Sequence, residues 1–98
     1  MGDGRFEAAV SEVVRGIAPG EAMTYGEVAA EAGHPGAGRA VGNLLRRTAT
    51  PLPWWRVVGA DGWLRRPVRA EQARLLAAEG VAVTASDRVP TRPAGAGT

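Results

Sequence analysis

Thr24-Tyr25-Gly26-Glu27-Val28-Ala29-Ala30-Glu31-Ala32-Gly33, His34-Pro35-Gly36 and Ala37-Gly38-Arg39-Ala40-Val41-Gly42-Asn43-Leu44-Leu45-Arg46-Arg47 run consecutively through the middle of this 98-residue chain. Thr24 and Glu27 have the spacing of a capping box, in which the hydroxyl and the carboxylate each satisfy a free backbone N–H at a helix start. The helix they open carries Val28, Ala29 and Ala32 and is expected to end at Gly33. His34-Pro35-Gly36 is a tight connection. A second helix is expected over about residues 37–47, with Ala40, Val41, Leu44 and Leu45 turned inward. Two short helices joined by a Gly/Pro turn read as a helix-turn-helix.

Upstream, Phe6, Val10, Val13, Val14 and Ile17 recur at helical spacing, which predicts an amphipathic helix over residues 5–17 with an acidic outer face. Pro19-Gly20 stops it. Downstream, Pro51-Leu52-Pro53 excludes helix and leads into Trp54-Trp55-Arg56-Val57-Val58. Val57-Val58 and Trp63-Leu64 flank Gly59-Ala60-Asp61-Gly62, whose Asp-Gly step signals a hairpin, and a ribbon placed there would be a wing. A last helix is expected over about residues 70–79, with Ala73, Leu75 and Leu76 facing the core and Gly80 as its cap. Residues 84–98 are rich in Pro, Gly, Ala and Thr without periodicity, which predicts a disordered tail behind a domain at 1–83. On that reading, deleting the tail leaves the affinity of the domain for its partner nearly unchanged. The expected fold is mostly α with a small β-hairpin wing, a winged helix-turn-helix DNA-binding domain.

The chain contains no cysteine and one histidine. It therefore offers no thiolate nucleophile, no disulfide framework and no His/Cys metal site, and no cofactor is implied. No apolar run spans a bilayer and no secretory signal is visible, so a cytoplasmic, monomeric protein is expected. The net charge of +2 conceals a strong asymmetry. Residues 1–35 hold two Arg against six acids, whereas residues 36–69 hold seven Arg against Asp61 alone. A basic middle third is the footprint of a polyanion binder. The exclusive use of Arg over Lys also fits a GC-rich genome, but that bias does not explain the clustering.

Four blocks then stand in order: Met23-Thr24-Tyr25-Gly26-Glu27-Val28-Ala29, Gly38-Arg39-Ala40-Val41-Gly42-Asn43, Leu52-Pro53-Trp54-Trp55-Arg56-Val57-Val58 and Leu75-Leu76-Ala77-Ala78-Glu79-Gly80. Together they resemble the C-terminal DNA-binding domain of the O6-alkylguanine-DNA alkyltransferases over residues 5–83. Those enzymes read Pro-Cys-His-Arg-Val in the third block. Trp54 stands at the cysteine position and Trp55 at the histidine position. Tryptophan for cysteine resembles the alkyltransferase-like proteins, which bind alkylated DNA without repairing it. The resemblance implies a non-enzymatic protein that reaches O6-alkylguanine from the minor groove, flips the nucleotide and flags it for nucleotide excision repair proteins. Its implied partner is double-stranded DNA containing alkylated guanine. An indole, whose nitrogen electrons belong to the π-system, cannot perform the displacement.

The resemblance also implies roles for particular residues. Arg39 matches an arginine that enters the base stack; a solvated or phosphate-bound side chain is the alternative. Tyr25 matches a tyrosine beside the rotating nucleotide's phosphate, with a half-buried staple as the alternative. Ala40 and Gly42, small beside Gly38, suit a helix face pressed into a groove, or a close helix–helix contact. Arg46, Arg47 and Arg56 are candidate phosphate contacts. Trp54, Trp55, Arg65, Arg66 and Arg69 are the candidate lesion pocket; Trp54 is favoured to line it, because adjacent strand residues face opposite ways. Arg66 is the first choice among the wing arginines for the flipped base. Glu79 is expected to be a remnant contacting backbone. A sequence-specific winged-helix regulator is the alternative function, although the recognition helix offers few base-reading side chains. A pure protein-interaction module is a third reading.

Overall fold

The computed structural model describes residues 4–65 and 68–91. Helix α1 (Gly4–Arg15) leads to strand β1 (Met23–Thr24), then α2 (Tyr25–Glu31) and α3 (Gly38–Arg47). A 3-10 turn (Trp54–Arg56), strand β2 (Val57–Val58), a second 3-10 turn (Ala60–Gly62) and helix α4 (Arg69–Ala78) complete the order. The helix-turn-helix lies where its sequence signals place it. The Glu27 amide donates to Thr24 Oγ1 at 3.1 Å and the Thr24 amide donates to Glu27 Oε1 at 2.8 Å, so the capping box is formed. A Cβ on Gly38 would stand 3.2 Å from the Gly26 amide nitrogen, so α2 and α3 meet backbone to backbone. No helix among the described residues is long and apolar enough to cross a membrane.

Two hydrophobic clusters share one strand. Val10, Val14, Ile17, Val28, Val41 and Leu44 form the first with Val57. Ala22, Leu64, Leu76, Val81 and Val89 form the second with Val58. Successive strand residues point to opposite faces, so β2 drives one valine into each cluster. Each fully buried valine contributes about 1.5–3 kcal/mol.

The wing differs from expectation. The Asp-Gly turn forms, with Asp61 at φ 61° and Gly62 at φ 88°, and the Gly59 amide donates to the Trp63 carbonyl at 2.7 Å. The strands flanking it do not make a ribbon. Val57 and Val58 pair in parallel with Met23 and Thr24, while Trp63 bridges Arg88 in antiparallel sense. Both valines are fully buried, so β2 serves as a central element rather than one strand of an exposed hairpin.

The tail expected from residue 84 is also corrected for residues 84–91. A turn closed by the Thr84 amide on the Arg88 carbonyl (2.9 Å) brings the chain back. The Leu64 amide donates to the Asp87 carbonyl (3.0 Å) and the Val89 amide to the Gly62 carbonyl (2.9 Å). Val89 is only 4% exposed, within the second cluster. A Cβ at Gly62 would lie 2.0 Å from the Val89 carbonyl oxygen, so this return requires glycine there. Residues 92–98, the remainder of that segment, lie outside the described residues.

Candidate nucleic-acid interface

A cleft of about 790 Å³ separates the helix-turn-helix from the loop at residues 59–65. One wall is the stripe Gly38, Arg39, Gly42, Asn43 and Arg46 of α3, with Tyr25 and Gly26 of α2. Spacings of three and four residues put that stripe on one helix face. The other wall is Gly59, Ala60, Trp63, Leu64 and Arg65. Among the described residues, three arginines and no carboxylate line the cleft, which favours an anionic or electron-rich guest.

Tyr25 is half-buried, its ring 3.6 Å from where a Gly42 Cβ would stand. Thus Gly42 makes room for the tyrosine as well as lining the cleft. Burial pushes the Tyr25 phenol up, partly offset by Arg65 and Arg46. It stays a neutral hydroxyl, able to donate. Arg39 is exposed at the cleft. The Arg46 guanidinium donates to Asn43 Oδ1, which holds it along the helix face. Ala40, expected to face inward, is exposed; with Arg47 it lines a neighbouring depression rather than the cleft.

The Trp-Trp-Arg segment is arranged differently from a strand. In a 3-10 turn successive side chains lie about 120° apart, and the two indoles stand edge to face, 6.0 Å between centroids. Trp54 is half-buried and is not a cleft-lining residue. The Arg65 guanidinium lies 5.8 Å from its ring centre, and Arg65 itself lines the cleft, so Arg65 links Trp54 to the cleft. Trp55 turns away, packs against the second cluster and donates from Nε1 to Glu79 Oε2 at 2.9 Å.

Arg56 and Trp55 therefore leave the candidate site. Arg56 Nη2 sits 2.6 Å from Glu79 Oε2, Nε donates to Glu79 Oε1 at 3.0 Å and Nη1 donates to the Ile17 carbonyl at 2.9 Å. Both side chains are mostly covered, at 13% and 15% exposure. The expected phosphate contact is instead an internal brace, and Glu79 binds two side chains rather than backbone alone. Arg69 pairs with Asp87 at 3.6 Å, outside the cleft. Arg66, the favoured wing arginine, lies outside the described residues.

Hydrogen bonds from Arg56 hold the Glu79 carboxyl below its ordinary value of 4.5; burial opposes them, and the Trp55 N–H and Gly20 amide assist. A folded-state value below the unfolded one stabilises the fold above about pH 4.5 and is lost as pH falls through the lowered value. Glu79→Gln should cost about 2 kcal/mol at pH 7, because it removes charge-assisted hydrogen bonds from Arg56. The difference from wild type should shrink in thermal melts below pH 4.5. A difference that stays constant down to pH 3 would mean that the cost does not come from the ionised carboxylate.

Three contributors were not expected from the sequence. Gln72 is fully buried: its Nε2 donates to the Trp55 and Val57 carbonyls, both at 3.0 Å, and its Oε1 accepts from the Arg65 amide at 2.8 Å. One side chain of α4 thus ties the Trp-Trp turn, β2 and the cleft loop together. Trp63, read as a strand residue, is 46% exposed on the cleft wall, and the Arg88 guanidinium covers its ring at 4.9 Å. An indole directly after a tight polar turn was the available signal. Among the described residues, no group of three or more His, Asp or Glu side chains could hold a metal ion.

Known proteins are similar to this chain in architecture and sequence. The family described as "6-O-methylguanine DNA methyltransferase, DNA binding domain" matches residues 5–81. A DNA base-flipping protein of Escherichia coli (strain K12) is 41% identical over 88 residues, covering 86% of this chain and 68% of the relative. The structure of S. pombe Atl1 in complex with damaged DNA containing O6-carboxymethylguanine superimposes with a TM-score of 0.76 at 27% identity, covering 94% of this chain and 93% of that one. Mycobacterium tuberculosis OGT in complex with DNA gives a TM-score of 0.69 at 34% identity, covering 81% of this chain and 51% of that one.

Proposed function

The chain belongs to the family of the 6-O-methylguanine DNA methyltransferase DNA-binding domain, and we propose that it binds O6-alkylguanine in duplex DNA and extrudes the altered nucleotide without removing the alkyl group. The observation that carries this reading is an arginine-lined cleft on the helix-turn-helix in a chain that has no cysteine to act as acceptor. The α3 stripe approaches the minor groove, and its small residues allow close contact. Arg39 fills the gap left in the stack, since a planar guanidinium can stack and hydrogen-bond together. The neutral Tyr25 hydroxyl faces the backbone of the rotating nucleotide, and Arg46 and Arg47 contact phosphates. Arg65, lying between the cleft and Trp54, meets the extruded base.

Alkyl transfer would need a sulfur or comparable nucleophile with a base to activate it. Trp54 supplies no such lone pair, and the Trp55 N–H is already given to Glu79. The lesion is therefore held intact for a second repair activity, and the nucleotide excision machinery is the partner we propose. Titrated at fixed salt, a duplex with O6-methylguanine should bind about tenfold more tightly than its guanine counterpart, because a weakened pair costs less to open. The protein mass should not rise by a methyl group afterwards. Equal affinities would sink lesion recognition, and a methylated protein would overturn the non-enzymatic reading.

A further inference from the structure

We infer that Trp63, backed by Arg88, is a stacking platform for an extruded nucleobase at the mouth of the cleft. Trp63 is an exposed large hydrophobic side chain, and it stands on the cleft wall opposite Arg39 and Arg46. Arg88 covers the indole from 4.9 Å and is not itself a cleft-lining residue. The arrangement is braced: Arg88 Nε and Nη2 donate to the Asp61 carbonyl at 3.1 and 3.0 Å, and Trp63 bridges Arg88 through the backbone. A rigid indole with a cation against it and arginines across from it suits a flat, electron-rich ring attached to an anionic chain. A nucleobase on its sugar-phosphate backbone has that chemistry, and stacking accepts any base because each has a π-face. The recognition helix can then open the stack while the loop holds what comes out. This assignment rests on the DNA-binding reading above, but it concerns a residue that reading does not use.

The test uses the full chain with Trp63→Ala and Trp63→Phe, both checked for wild-type melting, since the side chain is half in solvent. On the O6-methylguanine duplex Trp63→Ala should bind about 5- to 100-fold more weakly, the range of one lost base–aromatic stack. On the guanine duplex the loss should stay within about twofold, and Trp63→Phe should recover most of the lesion affinity. A lesion-to-guanine ratio unchanged in Trp63→Ala overturns the platform. A short single strand carrying 2-aminopurine separates this idea from lesion recognition, because its base needs no extrusion. Wild type should quench the 2-aminopurine fluorescence at saturation and Trp63→Ala should quench it less. Equal quenching by both overturns the platform even if lesion duplexes are discriminated. Unequal quenching supports it even if they are not.

Discussion

A chain ending at residue 83 should melt some 15–30 °C below a chain ending at Thr91, which keeps every contact named here. The shorter chain loses Val89 from the second cluster, worth about 1.5–3 kcal/mol. It also loses the backbone bonds from Leu64 to Asp87 and from Val89 to Gly62, at about 1 kcal/mol each. The sum, about 4 kcal/mol, is a large share of a small domain's stability, and each kcal/mol moves the midpoint of so short a chain by about 4–8 °C. Val89→Ala in the full chain should reproduce about half of the fall. The effect should reach DNA as well, because the lost segment positions Trp63 and Leu64 on the cleft wall. Calorimetry of the two truncations decides the matter: midpoints within about 2 °C would mean residues 84–91 are not part of the packed unit.

Arg39→Ala should weaken binding to an O6-methylguanine duplex by about 10- to 100-fold and remove the signal of an extruded fluorescent base analogue. Arg39→Lys should rescue little, because an ammonium has no plane to insert. Arg46→Ala and Arg47→Ala provide the comparison. As phosphate contacts, each should lower the salt slope of binding by about 0.9 and leave extrusion intact. The structure makes the comparison sharp, since Arg39 and Arg46 share the cleft while Arg47 lines the next depression. If the three substitutions behave alike in both assays, Arg39 is one more phosphate contact and the stack is opened by something else.

The local signals were legible because their physics is local. A capping box, a Gly/Pro turn and an Asp-Gly step satisfy backbone groups within a few residues, and all three form where the sequence places them. The cleft stripe Arg39, Gly42 and Arg46 follows from helical period alone, and the missing acceptor chemistry follows from composition. Partner choice over long separations was not legible. Val57-Val58 would pair as well with a hairpin neighbour as with Met23-Thr24. The parallel pairing prevails because it buries both valines, one in each cluster. Residues 84–91 look like tail because their one anchor, Val89, has no periodic companions; its burial depends on a glycine 27 positions earlier that admits its carbonyl. Arg56 reads as a surface cation until Glu79, 23 residues on, is brought against it. Gln72 carries no local signal of burial, and three backbone groups from two other segments converge on it only in the assembled fold. In each case the deciding energy is a desolvated contact between segments far apart in the chain, which only the assembled fold brings together.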